Sequence, residues 1–287
     1  MPTTSPPRND TGAGPNPAAV LRRSEYHQRF VEHTLQQRSD DSGRELLRQE
    51  WHYFADLLAV PAEGARVLDL ACGSGPYSLA WAERGARVTG IDFDHGLLEA
   101  GRDRVRRSAP QAPPPAWTGG DAARLPFRAD QFDLVFCNSL LEHVPAWETV
   151  VRESARVLRP GGVFVVYTTN RACPLQVEVN HFPFYPWLPD PVQRRVLAWI
   201  MEHRRDLVNW TDFPAVNWFT FARMRRAFEA AGMRPFDRLD LLARRGGSGL
   251  RGRLARAAAS VPPLKWPYQV YAVSMALYGV KREGSGG

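Results

Sequence analysis

Two hydrophobic periods divide the chain. From Ala18 to about Val60, Tyr26, Phe30, Val31 and Leu35, then Leu46, Leu47, Trp51, Phe54 and Leu58, recur at helical spacing and predict two amphipathic helices. From Arg66 to Val166 short apolar runs alternate with helix-like stretches, which predicts five strands with helices between them and an α/β fold. Phe219–Met233 returns to the helical period, with Phe221, Met224, Phe228 and Met233 on one side and Ala231-Gly232 as its stop. Arg234–Leu242 predicts a sixth strand, and the last strand falls within Tyr271–Val280, a stretch that a helix also fits. Met1–Pro17 is rich in Pro, Thr and Gly and predicts a disordered tail. The expected organisation is therefore a tail at 1–17, a helical cap at 18–61, a core at 62–170, an insertion at 171–218, and a C-terminal helix and last strands of the same domain at 219–287.

The Val67–Asp92 stretch has the strongest chemical signal. The run VLDLA carries Asp69 and Ala71 and breaks into a loop at Gly73 and Gly75; a second apolar run, Val88–Ile91, ends in Asp92, seventeen residues after Gly75. A strand–glycine loop–helix–strand unit of this kind suits a nucleoside-bearing ligand. The glycines let backbone approach it, and a carboxylate at the second strand's tip accepts hydrogen bonds from ribose hydroxyls. The third position of a dinucleotide GxGxxG is Ser78, which disfavours a nicotinamide cofactor, and no Gly-Lys-Ser/Thr marks a phosphate loop.

Three downstream blocks narrow the reading: GGDAARLPF (Gly119–Phe127), FDLVFCNSLLEHV (Phe132–Val144) and RVLRPGGVFVV (Arg156–Val166). Together with the first motif, their order and spacing resemble the class I S-adenosylmethionine-dependent methyltransferases, in particular the subgroup that includes the ubiquinone and menaquinone biosynthesis enzymes. The resemblance covers Val67–Val166. It implies a Rossmann-like, doubly wound seven-stranded sheet with N-terminal helices, an inserted substrate lid after strand five, and S-adenosylmethionine as cofactor. It also implies residue roles. Asp69 orients the loop and reaches toward the methionine amino group, Ala71, Gly73 and Gly75 bring backbone to the methionine and ribose, and Asp92 grips the ribose diol. Phe93 covers the adenine face, Asp121 accepts from the adenine amino group, the Ala122 backbone N–H donates to an adenine ring nitrogen, and Asn138 stands under the methionine end. Asp94, by contrast, reads simply as the cap of a helix starting at His95.

Transfer from a sulfonium needs alignment and a dry site, and a hydroxyl acceptor also needs a base. His143, beside Glu142 after strand four, and His181, in the insertion, are the two candidates. One Glu and one His after strand four make a poor hard-cation site, so no metal is expected. The insertion holds four aromatics and four prolines within NHFPFYPWLPDP, followed by Trp199, Trp210, Phe213 and Trp218. It reads either as a lid for a glycan, quinol or secondary-metabolite acceptor, or as a small satellite core. The Asn/Asp-Pro-Pro-Tyr/Phe motif of adenine and glutamine methylation is absent: Asn138-Ser139-Leu140-Leu141 stands in its place.

Charge and cysteines change this picture little. The net charge of +7 is carried by 35 arginines and only two lysines, Lys265 and Lys281, a bias that reads as GC-rich bacterial coding rather than as an anionic partner. Arg244, Arg245, Arg251, Arg253 and Arg256 keep an RNA methyltransferase in view as the alternative, beside a non-catalytic partner subunit; a peripheral membrane contact also fits, but no nucleic-acid partner is expected. Cys72, Cys137 and Cys173 form no disulfide or zinc pattern, and no signal peptide or spanning segment is read, so the expected location is the cytoplasm.

Overall fold

The computed structural model describes residues 25–37, 40–58, 60–245, 253, 257 and 262–283. The expected tail at 1–17 and the arginines at 251 and 256 lie outside the described residues. Seven strands form one sheet in the order β3-β2-β1-β4-β5-β7-β6: β1 Arg66–Leu70, β2 Arg87–Asp92, β3 Ala116–Gly119, β4 Phe132–Asn138, β5 Leu158–Thr169, β6 Met233–Asp237 and β7 Ser274–Lys281. Neighbouring strands from β3 to β5 pair in parallel, whereas β7 runs antiparallel to both β5 and β6. The chain thus has the Rossmann-like, doubly wound α/β architecture.

The helices are α1 Glu25–Gln37, α2 Asp40–Phe54, α3 Pro76–Ala82, α4 His95–Ser108, α5 Trp147–Val157, α6 Asp190–His203, α7 Phe221–Ala230, α8 Arg238–Arg245 and α9 Pro262–Tyr271. Alternation along the central strands divides the core in two. Leu68, Leu70, Val135, Cys137, Phe164 and Val166 pack with α5 and α7 on one face; Val67, Leu134, Phe136, Val163 and Val165 pack with α2 and α3 on the other. Both faces are covered, so these strands read as continuous apolar runs.

The stretch expected as a single strand at Arg234–Leu242 is instead strand β6 followed by helix α8. The break has a local cause. Asp237 Oδ1 accepts the Asp240 N–H at 2.9 Å while Asp240 Oδ2 accepts the Asp237 N–H at 3.0 Å, a reciprocal capping box that starts a helix. The last strand falls as expected, and α9 precedes it.

Helix α2 is anchored by one buried carboxylate. Glu50 accepts from the Arg238 guanidinium at 2.6 and 3.0 Å, from Tyr278 Oη at 3.1 Å and from Tyr167 Oη at 3.4 Å, joining α2 to α8, β7 and β5. Its close approach to α3 depends on Gly43, where an added Cβ would collide with the Pro76 carbonyl. Gly43→Ala is expected to cost roughly 1–3 kcal/mol by overpacking. Thermal unfolding checks this, and an unchanged melting temperature would mean that α2 shifts freely.

Residues between β5 and α7 build a third core from Val179, Tyr185, Ile200, Val208, Ala215 and Trp218, with α6 as its helix. It is stitched to the turn after β4: Val216 and Asn217 N–H donate to the Glu142 carbonyl at 2.8 and 3.0 Å, and Asn217 Nδ2 donates to the Leu141 and Val144 carbonyls. No helix among the described residues is long and apolar enough to cross a membrane.

Candidate active site

The site lies at the carboxyl ends of the parallel strands, where an open α/β sheet leaves its crevice. Beyond β1, Ala71 and Gly73 both adopt positive φ, 56° and 53°, and nothing lies within 4 Å of where a Gly73 Cβ would stand. At the tip of β2 the Asp92 carboxylate accepts the Gly73 N–H through Oδ2 at 2.8 Å and the Asp94 N–H through Oδ1 at 2.9 Å. Asp94 caps α4, accepting from Gly96 and Leu97 N–H, and its other oxygen meets His27 Nε2 of α1 at 3.2 Å.

A cavity of about 550 Å³ opens above this loop, within the range of small-molecule sites. Ala71, Gly73, Asp92 and Phe93 form its floor, Phe30 and Thr34 of α1 one wall, and His143 and Phe213 contribute from the far side. The Phe93 and Phe213 rings meet edge to face at 5.9 Å, so two aromatics border the space beside Asp92.

Four expected ligand contacts stand elsewhere. Asp69 is buried under the loop, accepting from Ser78 Oγ at 2.6 Å, and does not line the cavity. Gly75 faces β3: a Cβ there would stand 2.5 Å from Trp117 Cη2. Asp121 is exposed and accepts the Ala123 N–H at 2.8 Å. It and Ala122 sit on a loop tied to Asp92 through Gly120 N–H, outside the cavity lining.

A second cavity of about 310 Å³ adjoins the first and shares Ser139, Val177 and Glu178 with it. Asn138 lies here, donating through Nδ2 to Tyr77 Oη at 2.9 Å. Glu142 also lines it. Its side chain is buried, and Oε2 accepts from Thr168 Oγ1 at 2.7 Å. Burial, reinforced by the nearby Glu178 carboxylate and opposed by His143, raises the Glu142 carboxyl to about 7. His143 turns Nε2 toward Glu178 at 3.8 Å, while its buried Nδ1 has no hydrogen-bond partner among the described residues.

The structure thus brings His143 to the site and leaves His181 out, since His181 lines neither cavity. Glu142 had a signal in the sequence, an acid beside the candidate base, but its burial comes from contacts with residues 168, 216 and 217. No group of three or more His, Cys, Asp or Glu among the described residues is placed to hold a metal ion.

Comparison with known proteins bears on the family and the fold. Residues 68–166 match the family model described as "Methyltransferase domain". The ubiquinone biosynthesis O-methyltransferase of Marinobacter nauticus is 40% identical over 112 residues, which is 39% of this chain and 47% of that protein. The demethylmenaquinone methyltransferase of Bacillus velezensis is 28% identical over 181 residues, 60% of this chain and 72% of that protein. The chain thus spans about half the length of the first relative and more of the second. Among solved structures, an S-adenosylmethionine-dependent methyltransferase from Mesorhizobium loti superposes with a TM-score of 0.51 at 19% identity, covering 81% of this chain and 97% of that one, a likeness of fold. Residues 68–166 are accordingly a methyltransferase domain.

Proposed function

We propose that the chain transfers a methyl group from S-adenosylmethionine to a hydroxyl of a small-molecule acceptor. The observation that carries the donor site is the Asp92 carboxylate, held by two backbone N–H groups beside the open face of Gly73 and the Phe93 ring. That arrangement fits a ribose diol with a purine alongside. When bound, S-adenosylmethionine supplies a methyl already activated on a sulfonium.

The chain supplies position and a proton acceptor. Asp92 and Gly73 hold the nucleoside, the neighbouring Phe93 and Phe213 exclude water, and α1 walls the cavity. The acceptor hydroxyl lies where the two cavities meet, at Ser139 and Glu178, and Glu142 takes its proton. Three things support Glu142 over His143. It lines the acceptor side, Thr168 and the backbone of Val216 and Asn217 fix it, and a carboxyl raised to about 7 is matched to base catalysis near neutral pH. His143 lends positive charge that favours the ionised carboxylate. The 171–218 segment is the lid over both cavities.

Calorimetric titration with S-adenosylhomocysteine tests the donor site. Wild type is expected to bind, and Asp92→Ala to lose roughly 1–3 kcal/mol, a charged hydrogen-bond partner's worth. Equal affinity in the variant would remove Asp92 from the site.

A further inference from the structure

The second cavity identifies what kind of acceptor the chain methylates. Among its lining residues Leu46, Val177 and Val273 are purely apolar, and Tyr77, Tyr167 and Trp218 add aromatic rings. The remaining lining is hydrogen-bonding: the amides Gln49, Asn138 and Gln176, the hydroxyls Ser139, Thr169 and Ser274, and the carboxylates Glu142 and Glu178 among them. Three features of this lining narrow the ligand.

Size comes first. At about 310 Å³ the space is at the small end of ligand cavities, enough for a single ring.

Charge comes second. Glu50 and Arg238 cancel each other through a two-pronged pair. That leaves Glu142 and Glu178 as acidic groups with His143 their basic neighbour. Such a site repels phosphate and carboxylate and welcomes hydroxyl donors, because an ionised carboxylate accepts strong hydrogen bonds.

Shape of the polarity comes third. A planar quinol presents two apolar faces, yet the three rings of the lining are packed against other rings, Trp218 at 5.6 Å from Tyr185 and Tyr77 and Tyr167 at 5.2 and 5.8 Å from Phe136. Rings already packed elsewhere, with hydrogen-bonding groups between them, match a saturated ring that presents C–H groups and a hydroxylated rim.

We propose that the second cavity binds the acceptor as a compact, uncharged polyhydroxylated ring, a sugar or cyclitol, with its C–H face on Trp218 and its hydroxyls on Glu178 and Glu142. The proposal rests on the methyltransferase reading of the adjoining cavity. In the transfer, the oxygen of one of the ring's hydroxyls forms the new bond to the methyl carbon as the methyl–sulfur bond breaks, the bonding pair stays on sulfur, and the hydroxyl proton goes to Glu142. The products are a methyl ether and S-adenosylhomocysteine.

The test is saturation-transfer difference NMR on the full chain, first shown by calorimetry to bind S-adenosylhomocysteine and then saturated with it. The probes are methyl α-D-glucopyranoside, methyl α-L-rhamnopyranoside and myo-inositol at millimolar concentration, with catechol and glucose 6-phosphate as comparators. At least one neutral polyol is expected to give the strongest signal, concentrated on the protons of one ring face. That signal should disappear in Glu178→Leu at an unchanged melting temperature, and Trp218→Phe should retain it. Dominance of catechol would replace the polyol with an aromatic acceptor, and dominance of the sugar phosphate would overturn the charge argument. With S-adenosylhomocysteine bound, silence from every probe would overturn the acceptor class alone. Failure to bind S-adenosylhomocysteine would instead overturn the donor site, and this proposal with it.

Discussion

Replacing Glu142 by glutamine is expected to lower methyl transfer by about 10²–10⁴-fold, the usual range for removing a positioned base. Glutamine keeps the shape and still accepts from Thr168 Oγ1, so the cavity survives while the proton acceptor is lost. In the wild type, kcat/KM should rise with pH through about 7 as the carboxyl ionises, and the variant should lose that limb. His143→Ala should change the position of the limb rather than remove it, because His143 acts on Glu142 through its charge. If His143→Ala flattened the profile and Glu142→Gln preserved it, the base would be the histidine.

The same substitution carries a stability prediction with a definite sign. The carboxyl stands at about 7 in the folded chain against an ordinary value of 4.5. Between those values the folded state keeps a proton that the unfolded state has released. Wild-type stability therefore falls as pH rises from 4.5 to about 7 and stays low above that. Glu142→Gln should remove this slope and be more stable at pH 8 by roughly 2–4 kcal/mol, the free-energy equivalent of the shift. Urea unfolding at pH 5 and pH 8 measures both quantities. A variant less stable than wild type at pH 8 would mean that the carboxylate is held by partners stronger than its desolvation.

This sets an active group against the fold around it. Glu142 sits among Cys137, Thr168 and the insertion's backbone, where a neutral side chain would be more comfortable. A destabilised group kept at a cavity's edge is the pattern expected where activity and stability compete.

The sequence made the central sheet legible because both faces of its parallel strands are buried and the glycine loop breaks them at a fixed place. Asp92 was legible too, since its position at a strand tip follows from local spacing. Ser78 entered the reading as a departure from the dinucleotide pattern, yet its hydroxyl holds Asp69, a contact that crosses from strand to helix. The Asp237–Asp240 capping box had a local signature, two acids three residues apart, hidden inside a stretch that read as strand. Glu142 was the hardest case. Its environment is assembled from residues 26 to 75 positions downstream, and neither period nor motif reports that distance.

Gly75 illustrates the same limit in the other direction, and its substitution has the second large expected effect. The residue sits at φ 71°, where an L side chain is strained, and an added Cβ would stand 2.5 Å from Trp117 Cη2 and 3.3 Å from Gly101 Cα. Backbone strain of about 1–3 kcal/mol and overpacking of about 1–3 kcal/mol add because they have separate causes. Gly75→Ala should therefore lose roughly 2–6 kcal/mol of stability, read by urea unfolding. Trp117→Leu in the same chain should return the packing part and leave the backbone part. S-adenosylhomocysteine affinity should follow only as the loop loosens, through the Gly75 N–H bond to the Cys72 carbonyl. If Gly75→Ala instead weakened binding at unchanged stability, the glycine would touch the ligand directly, and the cavity would extend beneath the loop toward β3.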